Sequence, residues 1–182
     1  LFEGEIVHRD SVGSEQPIRP GEVNWMTAGR GITHSEWFER ARREGGPVHV
    51  IQAWVALPEA DENRAPAFDH YGTADLPTFE EGGVRGRLIA GEALGRRAGV
   101  RTFSPLFYLH WELPAGARVE LPAGFPGRAV HVTTGSIEVD GQRFEAGRML
   151  VFVSGQPIAI RALTPSTVMA LGGEPVGPRF ID

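Results

Sequence analysis

The sequence predicts an all-β protein built from two antiparallel β-barrels in tandem, and two observations support this fold class. First, 24 glycines and 14 prolines interrupt the 182 residues and leave only short β-branched or aromatic runs between them. Second, the order of turns and strands near the N-terminus recurs near the C-terminus. A single helix is predicted at Ser35–Glu44, where Arg and Glu dominate and two glycines end the segment.

The short apolar runs predict the strands, and the segment between them predicts the domain boundaries. Residues 58 to 82 are polar and rich in proline, which indicates a connection with little regular structure. We therefore predict an N-terminal barrel in residues 1–57, a linker in residues 58–85 and a C-terminal barrel in residues 86–182. The predicted strands are Val48–Leu57, Leu106–Leu113, Arg128–Thr133, Met149–Val153, Ile158–Ala162 and Val168–Leu171.

An internal repeat relates the two predicted barrels. Pro20–Glu36 aligns without gaps over Ala146–Ala162. Each copy reads as strand, glycine turn, strand, loop, turn, strand, glycine turn and strand, which is the strand order of a cupin barrel. Three pairs of turn glycines correspond between the copies: Gly4 with Gly135, Gly21 with Gly147, and Gly29 with Gly155.

The two copies differ in polarity at two aligned positions. His34 aligns with Ile160 and Glu36 aligns with Ala162, so the first copy is polar where the second is apolar. Residues i and i+2 of a strand point to the same face, so His34 and Glu36 can both enter the barrel interior. Imidazole and carboxylate groups are ligands for Fe(II), Mn(II), Zn(II) or Cu(II). In the alternative interpretation, His34 is a hydrogen-bonded core histidine and Glu36 begins the helix.

Composition excludes several classes of site. The sequence has no cysteine, which excludes disulfides, thiolate metal sites and cysteine nucleophiles. Every basic residue is arginine, so phosphate loops and Schiff bases that depend on lysine are excluded as well. The net charge of −5 argues against direct binding to nucleic acid. The sequence has neither a long apolar run nor a signal segment, so we expect no membrane association and a cytoplasmic location.

Four segments of the chain resemble the pirin family, in the same order as in that family. Residues His8–Glu36, with the sequence HRDSVGSEQPIRPGEVNWMTAGRGITHSE, are similar to the signature of the family. Gly45–Pro58, Gly91–Gly95 and Met169–Gly177 are similar to segments further along it. The resemblance covers nearly the whole chain and implies two tandem cupin domains.

The resemblance to pirins also implies a metal site in the first barrel. Pirins hold one metal there, usually iron, through three histidines and one glutamate, and two of these ligands match His34 and Glu36. The other two belong to a His-Pro-His motif that would stand upstream of Leu1, and we expect sequence to be missing at both ends. The expected metal is Fe(II), with Mn, Zn, Cu and Ni as alternatives. We expect no metal in the second barrel. There the four ligand positions are occupied by Leu121, Ala123, Ile160 and Ala162.

Two functions follow from the resemblance, and the sequence does not separate them. The first is a dioxygenase of the quercetin 2,3-dioxygenase type that acts with O₂ on a flavonol-like aromatic substrate. In that enzyme Glu36 would be both a metal ligand and the general base for the substrate hydroxyl. The second is a non-enzymatic regulatory protein in which the redox state of the metal controls binding to a protein partner.

The remaining histidines are not assigned to the metal site. His8 is predicted to lie at the surface or in a turn, and His49 in a strand. His70 falls in the predicted linker. His110 and His131 fall in strands of the second barrel, and we expect neither to bind a metal.

Overall fold

A computed structural model of the protein describes residues 1–178. The chain is mostly antiparallel β-structure and divides into two units. The first unit is Leu1–Asp75 with the described residues from Val176 onward, and the second is Leu76–Pro175. The predicted all-β fold with two domains is therefore confirmed. Residues 179–182 of the predicted C-terminal barrel lie outside the described residues.

The first unit contains two antiparallel sheets and one short helix. Its elements are β1 (Ile6–Asp10), β2 (Glu15–Ile18), β3 (Val23–Thr27), β4 (His34–Trp37), α1 (Glu39–Glu44), β5 (Ala67–Tyr71) and two 3₁₀ helices, Glu59–Asp61 and Thr73–Asp75. One sheet has the strand order β2-β1-β4, and the other pairs β3 with β5. No helix among residues 1–178 is long and apolar enough to cross a lipid bilayer.

The second unit contains two larger antiparallel sheets around an apolar core. Its strands are β6 (Thr78–Glu81), β7 (Val84–Ala93), β8 (Arg96–Arg97), β9 (Leu106–Leu113), β10 (Arg118–Glu120), β11 (Gly127–Thr134), β12 (Ser136–Val139), β13 (Gln142–Glu145), β14 (Met149–Phe152), β15 (Ala159–Ala162) and β16 (Ser166–Gly173). One sheet has the order β14-β11-β16-β9-β7-β6, with β8 paired to β7, and the other has the order β10-β15-β12-β13.

Alternating burial explains why the second unit forms these strands. In β9 the side chains of Phe107, Leu109, Trp111 and Leu113 are buried, and most residues between them are half-buried. This period of two is the pattern of a strand with one face on a core. All five strands predicted in this half are present, as β9, β11, β14, β15 and β16, with ends within two residues of the prediction.

The predicted helix at Ser35–Glu44 is wrong in its first part. Its first residues belong to β4, where backbone hydrogen bonds to β1 replace helical ones. The helix itself is α1, which contains an Arg40–Glu44 ion pair one turn apart and ends before Gly45 at φ +74°. Pairing with a neighbouring strand has overridden the local helix preference of this charged segment.

The predicted strand at Val48–Leu57 is also wrong. This segment makes one isolated β-bridge, between His49 and Glu3, and otherwise has no regular structure. Its Trp54 side chain is 91% exposed. A run with high β-propensity forms a strand only where another strand accepts its backbone hydrogen bonds, and the described residues provide no such partner beyond the bridge.

The boundary between the two units falls after Asp75, inside the segment 58–85 that we assigned to a linker. Within this segment, β5 pairs with β3 of the first unit, and β6 pairs with β7 of the second. The polar, proline-rich composition of residues 58 to 82 concealed these short strands, because few of their side chains are fully buried.

The internal repeat is visible in the pairing of strands. The order β2-β1-β4 in the first unit corresponds to the order β13-β12-β15 in the second. The turn glycines of the repeat have positive φ in both copies, a conformation that favours glycine. The φ values are +88° and +77° at Gly4 and Gly135, +85° and +84° at Gly21 and Gly147, and +54° and +80° at Gly29 and Gly155.

Gly91 in β7 provides a test of the second unit's packing. It has φ +74°, and a Cβ at this position would overlap the backbone carbonyl of Leu106 on β9. Gly95 has a similar φ of +68°, but a Cβ there would meet nothing within 4 Å. We expect Gly91→Ala to lower the free energy of unfolding by about 2 kcal/mol more than Gly95→Ala, because the buried backbone must shift as well. Denaturant unfolding measures the difference, and equal losses would contradict the packing described.

Candidate metal centre

Four polar side chains share one face of the sheet formed by β2, β1 and β4. In the antiparallel register, His8 lies directly opposite Glu36, and Asp10 lies directly opposite His34. Residues paired in this way project to the same side of a sheet. The intervening Arg9 projects to the other side, where it forms ion pairs with acidic side chains. The two residues that the repeat singled out, His34 and Glu36, therefore lie on one face with a second histidine and an aspartate.

His8 is the centre of this polar cluster. It is only 2% exposed, and its Nε2 lies 3.0 Å from Oδ2 of Asp10. Its Nδ1 lies 4.0 Å from Oε1 of Glu36. One face of its ring stacks on His34, with centroids 5.6 Å apart and planes at 22°. It also stacks on Phe68, with centroids 4.2 Å apart and planes at 11°.

The prediction that His8 lies at the surface or in a turn is therefore wrong. β1 continues through Asp10, and the turn begins only at Ser11. Within β1, His8 follows the buried Ile6 at a spacing of two, so both point inward. This alternation is the signal in the sequence that could have identified His8.

Asp10 is a buried carboxylate whose two oxygens both take part in hydrogen bonds. Its side chain is 0% exposed, and Oδ1 accepts hydrogen bonds of 3.0 Å from the backbone N–H groups of Val12 and Ser14. Burial disfavours its charge, but the hydrogen bonds from the Ser14 backbone and the His8 ring outweigh burial and lower the pKa of Asp10 to about 2. Asp10 is therefore ionised at neutral pH and fixes both the turn and the imidazole.

The second sheet of this unit adds further polar groups. Asn24 of β3 pairs with His70 of β5, two residues from the Phe68 that stacks on His8. The Oδ1 of Asn24 lies 2.7 Å from Nδ1 of His70, and His70 Nε2 lies 3.9 Å from a carboxylate oxygen of Glu22. His70, which we assigned to a linker, is thus part of a strand. The Nδ2 of Asn24 is buried and has no hydrogen-bond partner among the described residues.

The donor groups fit part of a metal site. The imidazole of His34 and the carboxylate of Glu36 are the types of ligand that borderline divalent metals accept. Within residues 1–178, no group of three or more histidine, aspartate or glutamate side chains is arranged to hold a metal ion. The described residues therefore contribute two candidate ligands, and a complete donor set needs more.

Four positions of the second unit correspond to the metal ligands expected in the first, and most of them lie in its apolar core. Leu121, Ile160 and Ala162 are buried, and Ala123 is exposed in a bend. In this unit Ile137 lies opposite Ala162, as His8 lies opposite Glu36 in the first. The chain thus repeats one arrangement of strands, with an apolar core in the second copy and a polar face in the first. On that face His8 and the Asp10 side chain are buried, whereas His34 and Glu36 are exposed and do not enter an interior as we predicted.

The other histidines lie outside the polar cluster. His49 forms the bridge to Glu3, and its ring contacts that of Phe2 at 4.9 Å between centroids. His131 contacts the hydroxyl of Thr133 at 3.3 Å. Burial lowers the pKa of His110. Glu112 stands two residues after His110 in β9, at the same spacing as His34 and Glu36, but within residues 1–178 no third ligand completes a metal site there.

The depressed pKa of Asp10 makes a prediction about acid stability. Ionised Asp10 stabilises the fold above its ordinary pKa of 3.8, and this contribution is lost as the pH falls from 3.8 towards about 2. Asp10→Asn keeps an acceptor for the turn and does not titrate. The difference in free energy of unfolding between wild type and Asp10→Asn should therefore shrink between about pH 5 and about pH 2.5. Chemical denaturation at several pH values measures it.

The matched control for this titration is Asp69→Asn. Asp69 lies in β5 of the same unit and is exposed. Its effect on the free energy of unfolding over the same pH range is the baseline from which the Asp10→Asn difference is read. A difference for Asp10→Asn that does not shrink relative to this baseline would contradict the ionised, hydrogen-bonded state described for Asp10.

Comparison with known proteins places these features in a family. The sequence profile described as Pirin matches residues 1–55, and the profile described as Pirin C-terminal cupin domain matches residues 108–182. A Pirin-like protein of Caulobacter vibrioides is 56% identical over 183 residues, which cover 100% of this chain and 64% of that protein. Pirin-1 of Arabidopsis thaliana is 30% identical, over 97% of this chain and 63% of that protein.

Solved structures agree with the sequence comparisons. A crystal structure of quercetin 2,3-dioxygenase from Acinetobacter baumannii matches with a TM-score of 0.82 and 28% identity, over 97% of this chain and 63% of that one. The chain spans less than two thirds of the length of each of these three proteins. The two profile matches follow the order of the two units, and both units have antiparallel sheets in the same local order. The chain therefore belongs to the pirin family, and its two units are cupin domains.

Proposed function

We propose that the first unit forms part of a mononuclear metal site and that the metal protein is a dioxygenase acting on a flavonol-like aromatic substrate. One observation carries the proposal. His34 and Glu36 share a face with the buried His8 and Asp10, whereas the corresponding interior of the second unit is apolar. A purely structural role does not require that difference, because the same strand order is stable with apolar side chains.

The metal has two ligands in the described chain, the imidazole of His34 and the carboxylate of Glu36. We propose that two histidines preceding Leu1 complete the set, as the resemblance to pirins implies. Fe(II) is the metal we favour for O₂ chemistry, and Mn, Zn, Cu and Ni have the same ligand preferences to varying degrees. When bound, the metal would supply a Lewis acid for substrate oxygens and a redox centre for O₂.

The side chains of this chain have separate roles in the proposed reaction. The Glu36 carboxylate is the group placed to accept the proton of a substrate hydroxyl, because it stands at the edge of the polar cluster with its side chain 36% exposed. The Phe68 ring contributes an apolar surface on the opposite sheet, which suits an aromatic substrate. The Acinetobacter baumannii quercetin 2,3-dioxygenase, at 28% identity, supports this choice of reaction.

The metal site makes a prediction about stoichiometry. The full-length protein should bind about one equivalent of metal, because only one unit carries ligands. His34→Ala should abolish metal binding and leave the fold largely intact, since the second unit has Ile160 at the corresponding position. His131→Ala, which changes a histidine of the second unit, is the matched control and should retain about one equivalent. Elemental analysis of the metal-loaded proteins measures the equivalents of metal bound per chain. An undiminished metal content in the His34→Ala protein would disprove the assignment of His34 as a ligand.

The reaction is tested by O₂ consumption with a panel of flavonols, using the iron-loaded full-length protein. We expect O₂ uptake that depends on both metal and flavonol. Glu36→Gln should lower the rate per bound metal by about 100-fold or more, because it removes the proton acceptor. Glu15→Gln, which changes an exposed carboxylate on β2, should leave the rate unchanged. A protein that binds metal but consumes no O₂ with any flavonol would favour the regulatory alternative.

A further inference from the structure

His8 is held from three sides, and one of these contacts is with a proposed metal ligand, His34. Its Nε2 edge faces Asp10 at 3.0 Å, one ring contact is with His34, and another is with Phe68 at 4.2 Å between centroids. At 2% exposure the ring has little freedom to rotate. Any change in its position would therefore be felt at the ring of His34 and beside the carboxylate of Glu36.

Asp10 determines which nitrogen of His8 carries the proton. Its Oδ1 is occupied by the two turn N–H groups, and its ionised Oδ2 can only accept a hydrogen bond. A His8 ring that carries a single proton then holds it on Nε2, where it can donate to Oδ2 of Asp10. Its Nδ1 is left as an acceptor that faces Oε1 of Glu36 at 4.0 Å. This separation is too long for a direct hydrogen bond, so the Glu36 carboxylate stays available to bind a metal ion.

The ring stack is the contact that restricts the orientation of His34, whose strand β4 is exposed. Its ring lies nearly parallel to that of His8, with an angle of 22° between planes, and Phe68 also stacks on His8 at 11°. A metal ligand binds well only if its donor nitrogen points at the ion, so its ring plane must be fixed before binding. The stack supplies that constraint without a hydrogen bond to His34.

We propose that Asp10 and His8 form a positioning pair for the metal site, which orients the His34 ring and holds an acceptor towards Glu36. This inference rests on the proposed function, because it assigns Asp10 and His8 a role in the site formed by His34 and Glu36. Neither residue is assigned as a metal ligand. The hydrogen bond joins Asp10 to His8, and the ring stack joins His8 to the ligand His34.

The polar pair is not required by the fold itself. In the second unit Ile137 lies opposite Ala162, as His8 lies opposite Glu36, and both residues are 0% exposed. Two residues further along β12, Val139 is also buried. The same strand pairing therefore folds with an apolar pair. Burying a carboxylate and an imidazole instead costs desolvation, and a role in the site accounts for it.

The test is Asp10→Asn, which changes one atom of the pair and keeps the turn. The Asn oxygen still accepts the backbone N–H groups of Val12 and Ser14, and its Nδ2 then donates to His8 Nε2. The proton of His8 is expected to move to Nδ1, towards Glu36. Imidazole ¹⁵N NMR of the metal-free, full-length protein should show Nε2–H in wild type and Nδ1–H in the variant.

The second readout is the affinity of the protein for a metal ion. Titration with Ni(II) or Cu(II) should give about 10-fold to 100-fold weaker binding for Asp10→Asn, and the Cu(II) EPR spectrum should change. Asp69→Asn makes the same chemical change at an exposed site of β5 and should match wild type in both measurements. His8→Gln serves as a second variant if Asp10→Asn does not fold, and it should weaken metal binding to a similar degree while circular dichroism stays unchanged.

The outcomes separate this inference from the proposed function. If wild type binds metal through His34 and Asp10→Asn retains the same affinity, EPR spectrum and tautomer, the positioning pair is disproved and the metal site stands. If the His34→Ala protein binds metal as wild type does, the metal site is disproved, and the inference fails with it.

Discussion

The antiparallel register between β1 and β4 determines which side chains share the polar face of the first unit. It places His8 opposite Glu36 and Asp10 opposite His34, so all four polar groups share one face. A shift of one residue in either strand would turn that strand's groups to the opposite face and bring Arg9 or Trp37 inward. Every group of the candidate metal centre therefore depends on this pairing, which the backbone hydrogen bonds of short strands must maintain.

The two units share one arrangement of strands but carry different kinds of side chain on it. In the second unit the positions along β12 and β15 are apolar, and they join a core that includes Ile137 and Ile160. In the first unit an unsatisfied buried group at such a position would cost about 1–3 kcal/mol, which makes hydrogen bonds necessary. Asp10 meets this need by accepting bonds from two turn amides and from His8. The buried Asp10 carboxylate is thus tolerated because both of its oxygens take part in hydrogen bonds.

The sequence was sufficient to predict the structure wherever a local pattern of residues determines it. Strands of the second unit followed from alternating apolar runs, and the shared face of His34 and Glu36 followed from their spacing of two. His8 was missed because its neighbours, Arg9 and Asp10, are typical of a turn and conceal the short alternation with Ile6. Pairing with a strand 26 residues further on places His8 on the same face as the proposed ligands. The segment around Phe68 was missed because its composition resembles a loop, while its partner strand β3 lies about 40 residues earlier.

The hydrogen bond between His8 and Asp10 has a consequence for the order of folding. Both residues lie in the hairpin formed by β1 and β2, which spans Ile6 to Ile18 and closes through its own turn. Hairpins of this size form within about 1–10 μs, whereas β4 must close a longer loop before it can pair with β1. We expect the supporting imidazole to be in place before the strand that carries His34 and Glu36 arrives. The two ligands would then dock onto a surface that is already ordered, without having to organise it themselves.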